Sequence, residues 1–174
     1  MASIPRMKER PRISHAMLQL TLSFILAAFL ASGYAWDMIA RASVRMLESV
    51  GIKVKYLSDL FLMYVRLLDG SVVGFQVLLE CSGLITLLIF AFISSLTIGL
   101  LNGSLFVKTA WFIFSTSIAF LWNLLRLASV IAIAYNFGLE AFRLAHFVLA
   151  PTIDFLWVVS LWALGMSLIR RRRS

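Results

Sequence analysis

The sequence predicts an all-α membrane protein with about four transmembrane helices and a small extracytoplasmic hairpin or re-entrant segment before the second helix. Of its 174 residues, 61% are hydrophobic, and the mean hydropathy is +0.95. Soluble globular domains are much less apolar, so that class is excluded. The apolar residues also fall into runs of about 20, the length that crosses a hydrocarbon core of roughly 30 Å.

The distribution of charge indicates an orientation. The net charge is +8, and basic clusters occupy both ends of the chain. Because such clusters bind anionic lipid and stay in the cytoplasm, residues 1–15 and 170–174 are predicted to be cytoplasmic, flanking a single membrane domain of residues 16–169 in the cell membrane. A basic face on a soluble module, which nucleic-acid binding needs, is not visible. The predicted outer segment opposes this orientation, because it is itself basic, with Arg41, Arg45, Lys53, Lys55 and Arg66.

The first predicted span covers residues 16–39, with Tyr34 and Trp36 as interfacial aromatic residues near its outer end. A removed signal peptide is the less favoured alternative, because the apolar run continues past the small residues at 31–33. The following stretch, Arg41–Val50, is typical of a short interfacial helix.

The next segment has a strand-like composition. Phe61–Leu68 and Val72–Leu79 are rich in β-branched, aromatic and leucine residues, and Asp69-Gly70 between them is a hairpin turn signal. We expect a β-hairpin or an amphipathic re-entrant segment. A short helix lying on the membrane is the alternative, because short apolar runs do not distinguish these structures.

Three further spans are predicted, at residues 81–101, 105–135 and 148–168. A tight turn at residues 102–104 separates the first two, and loop residues at 136–138 end the third span of the chain. Residues 139–146 are expected to form a short connecting helix. Two basic termini in one compartment require an even number of crossings, which four spans satisfy.

Cysteine and histidine are scarce, and this limits the chemistry. The chain has one cysteine, Cys81, and two histidines, His15 and His146. A single cysteine excludes an intrachain disulfide and a multi-cysteine zinc or iron–sulfur site. Because the two histidines lie far apart in the predicted topology, we expect no metal and no cofactor, and His15 is assigned no role.

Three chemically active side chains are predicted to share one membrane level. Arg126 follows the cytoplasmic start of its span by about 21 residues, which at 1.5 Å per residue is ~32 Å and reaches the outer edge of the hydrocarbon. Cys81 and His146 flank the outer ends of their own spans. A thiol, an arginine and a histidine at one level form a candidate catalytic constellation. Asn123 shares the helix face of Arg126 and adds donors for an oxyanion.

Each of these residues also has a structural interpretation. A lone cysteine in a membrane helix is usually an inert apolar residue. Ser82 and Gly83, however, leave space beside this thiol, and a helix N-terminus stabilises a thiolate. Arg126 would serve structure alone if it extended to the interface or paired with Asp154.

The remaining polar and aromatic residues are less specific. His146 would be an ordinary interfacial histidine in the structural interpretation, and Arg143 lies three residues before it on the same face. The tryptophans of the predicted spans are expected to be packing or interfacial residues, not a substrate stack: Trp111, Trp122, Trp157 and Trp162.

The motifs resemble those of the exosortase/archaeosortase family. Glu80-Cys81-Ser82-Gly83-Leu84, after a hairpin-like stretch that ends Val73-Gly74-Phe75, is similar to the family's cysteine motif. Asn123-Leu124-Leu125-Arg126-Leu127-Ala128 is similar to its Asn-x-x-Arg motif. His146, ahead of a final span and a basic tail, corresponds to the third catalytic position, which is often arginine in archaeosortases. The resemblance covers Ile52 to the C-terminus. Larger members have more spans, so the difference bears on substrate recognition.

The resemblance implies a membrane cysteine transpeptidase or protease. Its substrates would be exported proteins with a C-terminal sorting signal, made of a motif, a transmembrane helix and a basic cluster, and the acceptor would be a lipid or a lipid-linked molecule. The resemblance assigns catalysis to Cys81, Arg126 and His146. Asn123 and Ser82 would support the oxyanion, and Arg143 is a candidate for holding a substrate carboxylate or phosphate.

Two other functions are kept as alternatives. The first is plain proteolysis at the same residues, with water as the acceptor. The second is a non-enzymatic transport or membrane-assembly subunit, in which Arg126 and Asp154 form a structural ion pair or part of a polar pathway. The sequence does not specify the recognition motif, a bacterial or archaeal source, or the oligomeric state.

Overall fold

The chain is mostly helical. The computed structural model describes residues 10–78 and 83–171, with side chains for residues 13–78 and 83–170. The helices are α1 (Arg10–Leu30), α2 (Gly33–Ser49), α3 (Leu84–Leu100), α4 (Leu105–Leu144) and α5 (Ala150–Arg171). Between α2 and α3 lies an antiparallel sheet of three strands: β1 (Val54–Leu57), β2 (Leu62–Arg66) and β3 (Val72–Gln76).

The apolar helices account for the membrane character. Within the described ranges, the stretches Ile13–Leu30 and Leu105–Arg170 are long and apolar enough to cross a membrane. Helix α3 is a shorter apolar helix of 17 residues. At 1.5 Å per residue its length is about 25 Å, near the lower limit for a crossing helix.

The predicted 16–39 span is divided into two helices. Helix α1 ends at Leu30, and the Ser32 hydroxyl accepts a hydrogen bond from the backbone N–H of Ala35 at 3.4 Å, which caps α2. The same hydroxyl donates to the carbonyl of Phe29 at 2.6 Å. One serine therefore satisfies a helix end and a helix start, and the predicted interfacial helix 41–50 is the second half of α2.

The predicted hairpin segment forms strands. Strands β2 and β3 pair antiparallel with Tyr64 opposite Gly74, around a turn in which the Asp69 carboxylate accepts from Ser71 N–H at 2.9 Å. The alternative of a membrane-lying helix is therefore wrong. Strand β1 pairs with the other edge of β2 and was not expected from the sequence. Helix α2 packs on this sheet, because the Tyr56 hydroxyl donates to Asp37 at 2.8 Å.

Helices α1 and α3 pack antiparallel through small residues. A Cβ on Gly99 would lie 2.8 Å from the Cα of Ala16. Further along the same pair of helices, the buried hydroxyls of Ser23 and Ser95 are 2.7 Å apart. Small side chains let helix backbones approach closely, and the serine pair satisfies its polar groups inside the interface.

Helix α4 reverses direction at Gly138. This residue has φ 79° and ψ −179°, which an L-residue with a side chain rarely adopts. The chain beyond it continues through a π-helical turn, Ala145–Leu149, into α5. Helix α5 then runs back along α4, since Gly165 packs on Trp111. The predicted connecting helix 139–146 is thus the first part of the last long helix.

The helices have two distinct ends. At one end, a Cβ on Gly103 would lie 3.2 Å from Ile169, and the Lys108 ammonium donates to the Gly99 carbonyl at 2.7 Å. At the other end lie the sheet and Gly138, joined by a bond from Leu68 N–H to the Tyr135 carbonyl at 3.5 Å. The described N- and C-terminal regions are therefore at the end opposite the sheet.

Candidate active site

A cleft of about 520 Å³ opens between α3, α4 and α5 toward the sheet end. Its polar lining comprises Gly83 backbone, Arg126, His146 and Asp154. The structure therefore brings two of the predicted catalytic side chains to one cleft, beside the last glycine of the predicted cysteine motif. The rest of the lining is mainly apolar: Ile85, Thr86, Ile89, Phe147, Pro151, Phe155 and Val158.

The cysteine motif is described only from Gly83 onward; Cys81 and Ser82, predicted as nucleophile and support, lie outside the described residues. Gly83 has φ +70° and immediately precedes α3. A Cβ at this position would collide with the Asn123 amide oxygen and lie 2.6 Å from Nη2 of Arg126. Glycine is thus required by conformation and by space, and the motif backbone rests on the Asn-x-x-Arg motif.

Asn123 is a buried amide at this contact. It is 3% exposed, and among the described residues neither its oxygen nor its nitrogen has a hydrogen-bond partner. Its position three residues before Arg126 places both side chains on one face of α4. Because buried polar groups are normally hydrogen-bonded, a partner for this amide is expected outside the described residues.

Arg126 forms an ion pair inside the protein. Its Nη1 lies 2.7 Å from Oδ2 of Asp154, and the two side chains are 10% and 3% exposed. The other carboxylate oxygen accepts hydrogen bonds from the indole N–H of Trp122 at 2.9 Å and of Trp157 at 3.4 Å. The carboxylate is therefore fixed from both sides and holds the guanidinium at the edge of the cleft.

His146 lies on the π-helical turn that leads into α5. Its half-buried ring stacks on Phe142, with centroids 5.3 Å apart and planes 7° apart. The Phe147 ring meets it edge-on at 4.8 Å. Two aromatic neighbours thus fix the imidazole plane where it lines the cleft, and π-helical turns often occur at functional sites.

Arg143 lies outside the cleft, whereas two of the tryptophans contact its carboxylate. Arg143 is exposed, pairs with Glu140 at 2.8 Å and does not line the cleft. Trp122 and Trp157 are hydrogen-bond donors to Asp154 rather than packing residues alone. Asp154 was considered only as a structural partner; its signal was a lone carboxylate in an apolar helix, which is costly without a task.

The described side chains offer no evident metal site. Across residues 13–78 and 83–170, no group of three or more His, Cys, Asp or Glu side chains is arranged to hold an ion. The described side chains that line the cleft offer a guanidinium, an imidazole, a carboxylate and the Thr86 hydroxyl.

Comparison with known proteins identifies the family. The family model described as transmembrane exosortase matches residues 11–168. The chain belongs to the transmembrane exosortase family. No match was found among curated proteins, and none was found among solved structures. Membership in the exosortase family makes this an integral membrane protein and implies, in general, a protein-sorting cysteine transpeptidase. The matched range includes the Cys81 motif, the Asn123–Arg126 motif and His146.

Proposed function

We propose that this exosortase is a cysteine-dependent transpeptidase that cleaves the C-terminal sorting signals of exported proteins. The observation that carries the proposal is the contact of Gly83 with Asn123 and Arg126, in a cleft that His146 also lines. Two residues of chain span at most about 7 Å. Because Gly83 follows Cys81 by two residues, the chain tethers the cysteine to this cleft.

The proposed reaction uses three catalytic side chains. The Cys81 thiolate attacks a peptide carbonyl of the substrate and forms a tetrahedral oxyanion that Arg126 and Asn123 stabilise. His146 takes the thiol proton and returns it to the amine of the departing transmembrane segment. The resulting thioester keeps the exported part of the substrate on the enzyme. An acceptor nucleophile then loses its proton to His146, attacks the thioester carbonyl to form the new bond, and releases the Cys81 thiolate.

Asp154 is proposed as a positioning residue. Its carboxylate holds the Arg126 guanidinium at 2.7 Å and is itself held by the Trp122 indole at 2.9 Å. A guanidinium fixed before substrate binds needs little reorganisation when negative charge develops on the oxyanion. Asp154 acts through Arg126 and does not contact the reacting atoms.

The apolar lining of the cleft supports transfer over hydrolysis. Ile85, Ile89, Phe155 and Val158 face the same space as the catalytic groups. A lining of this kind restricts water and suits a lipid or lipid-linked acceptor in the membrane. The thioester would then be resolved by the acceptor.

We further propose four crossings, made by α1, α3, α4 and α5, with both termini cytoplasmic. This topology is supported by the packing of the two described terminal regions at the end opposite the sheet, as shown by the contacts of Ala16 with Gly99 and of Gly103 with Ile169. The sheet and the cleft would then face the extracytoplasmic side, where exported substrates arrive.

The deciding experiment measures the intact mass of a co-expressed reporter. The reporter is an exported domain followed by a short uncharged segment, an apolar helix of about 20 residues and an arginine cluster. We expect cleavage by the native protein and none by Cys81→Ala. Added mass on the new C-terminus identifies transfer, and a free carboxylate identifies hydrolysis. Cleavage by Cys81→Ala would overturn the proposed nucleophile.

A non-enzymatic subunit is the second candidate, because the Arg126–Asp154 contact of 2.7 Å is also what a structural ion pair requires. Thiol labelling separates the two. An activated nucleophile near a guanidinium is alkylated rapidly at neutral pH by a maleimide that enters the cleft, and Arg126→Met slows this labelling. A structural pair predicts the same slow labelling in both proteins.

A further inference from the structure

A second cleft adjoins the candidate active site. It has a volume of about 310 Å³ and lies between strand β3 and the helical hairpin around Gly138. Residues 73–76 of β3 all line it. Because successive side chains of a strand point to opposite faces, a cleft lined by consecutive residues runs along the edge of the strand and not over one face.

Within the described part of the chain, the edge of β3 that faces this cleft carries hydrogen-bonding groups that no other strand pairs with. Strand β3 is an edge strand of the described sheet, with β2 on its other side. Bonds from Val77 N–H to Phe61 and from Leu67 N–H to Ser71 show that the odd-numbered residues pair with β2. In an antiparallel ladder the alternate residues then direct their N–H and C=O groups outward. Gly74 and Gln76 therefore present a template for another strand.

The two clefts share part of their lining. His146 and Phe147 line both of them. Strand β3 also leads along the chain into the cysteine motif, since Gly83 follows Gln76 by seven residues. A chain paired with β3 would thus have its own backbone pass the imidazole.

We infer that the edge of β3 binds the substrate as an added strand. The occupant is the uncharged, extended peptide segment of the sorting signal that precedes its transmembrane helix. A strand of five residues is about 17 Å long, so roughly five substrate residues can pair. The inference rests on the proposed function, because it names how the substrate of that reaction is held.

The chemistry of the cleft favours a peptide over other occupants. An acyl chain or a helix would leave the outward N–H and C=O groups of Gly74 and Gln76 without partners, which is costly in a poorly hydrated cleft. An extended peptide satisfies them through its own backbone. The side chains opposite the strand are apolar, among them Leu127, Ile131 and Phe142, so every second substrate residue is expected to be apolar.

A pair of substitutions at Gly74 tests the backbone contact. A Cβ here meets only the ends of the Leu62 and Tyr64 side chains, each at 3.3 Å. Gly74→Ala and Gly74→Pro both add this atom, but only proline removes the outward N–H. We expect processing of the reporter to be about tenfold slower with Gly74→Pro than with Gly74→Ala, the upper range for one hydrogen bond. Equal rates for the two variants would overturn the inference.

Site-specific photo-crosslinking tests the occupant independently of catalysis. A benzophenone amino acid replaces Leu78, which is exposed and lines the cleft, or Lys55 on the opposite edge strand, in the Cys81→Ala protein. The reporter is the one used in the mass measurement. We expect position 78 to crosslink the uncharged segment of the reporter and position 55 to give no such product. Crosslinks to the reporter helix, or to lipid alone, would contradict strand addition.

The two experiments separate this inference from the proposed function. If the native protein cleaves the reporter, but position 78 gives no crosslink and the two Gly74 variants have equal rates, the transpeptidase proposal stands and strand addition is rejected. If the reporter crosslinks at position 78 but the native protein releases it unchanged, the docking edge is supported and the proposed reaction is rejected.

Discussion

Nη1 of Arg126 lies 2.7 Å from Oδ2 of Asp154, and both side chains are almost fully enclosed by α4, α5 and their tryptophans. The sequence left a catalytic arginine and a structural ion pair as alternatives. The geometry fits both interpretations, because the carboxylate that compensates the buried charge also holds that charge at the edge of the cleft. Stability and activity should therefore respond differently to changes in the pair.

Removing only Asp154 is expected to destabilise the protein strongly. Asp154→Ala leaves the guanidinium without its carboxylate partner, and breaking a buried pair from one side costs about 3–5 kcal/mol. The double variant Arg126→Met, Asp154→Leu replaces both charges and should recover most of that loss, yet remain inactive. Thermal unfolding in detergent and reporter processing are measured together. Processing by the double variant would contradict a catalytic Arg126.

An exposed ion pair beyond Gly138 is the matched control for the Arg126–Asp154 variants. Arg143 and Glu140 are 2.8 Å apart, with side chains 65% and 84% exposed. Exposed pairs contribute little, so Arg143→Ala should change stability by no more than about 0.5 kcal/mol. Because Arg143 lies outside the cleft, processing should also persist. Loss of processing would support the sequence-based hypothesis that Arg143 holds the substrate.

Gly83→Ala should impair both folding and catalysis. The new Cβ would occupy the position of the Asn123 amide oxygen and press on Arg126, at a residue with φ +70°. Gly70→Ala is the control, because Gly70 has φ +88° but nothing within 4 Å of the added atom. Both variants incur the conformational cost of roughly 1 kcal/mol, and only Gly83→Ala should also lose at least about tenfold in processing rate. Similar processing by both would show that the contact has no catalytic consequence.

The proximity of Arg126 and His146 could be predicted from the sequence, but the partners of each side chain could not. A fixed rise per residue and the loop residues at 136–138 place Arg126 and His146 at one level, and the structure brings both to one cleft. Whether Arg126 faces Asp154, Asn123 or lipid depends on how α4 and α5 are rotated about their axes. That rotation is fixed by close packing, such as Trp111 on Gly165, which an apolar sequence does not specify.

Local chemistry explains the boundaries that were missed. Residues 16–39 are mostly apolar, but the Ser32 hydroxyl satisfies both flanking helix ends and divides the run. Strand β1 carries Lys55 and is too short for an alternating pattern; its pairing depends on β2, as in the Lys55–Tyr64 register. Hydropathy detects how much of a segment is apolar and not where its hydrogen bonds are completed.

Acid should weaken the attachment of α2 to the sheet. The hydrogen bond from Arg41 to Asp37, followed by that from the Tyr56 hydroxyl, lowers the pKa of the Asp37 carboxyl. A carboxyl with a lowered pKa stabilises the folded state above its unfolded value near 3.9, and this stabilisation is lost as the pH falls through the folded pKa. The apparent melting temperature should therefore drop below about pH 4. Asp37→Asn should lack this component of the drop, and an identical pH profile would exclude it.

Replacement of Asn123 should separate stability from catalysis most clearly. Its amide is buried, and within the described chain neither polar atom is hydrogen-bonded. Asn123→Leu therefore breaks no described hydrogen bond and keeps a similar volume, so the melting temperature should change little. If the amide binds the oxyanion, the processing rate should fall by about 10²–10³, the effect of losing one such donor. A stable variant with native processing would show that Asn123 only supports the backbone of Gly83, and Arg126 would then be the sole predicted oxyanion donor.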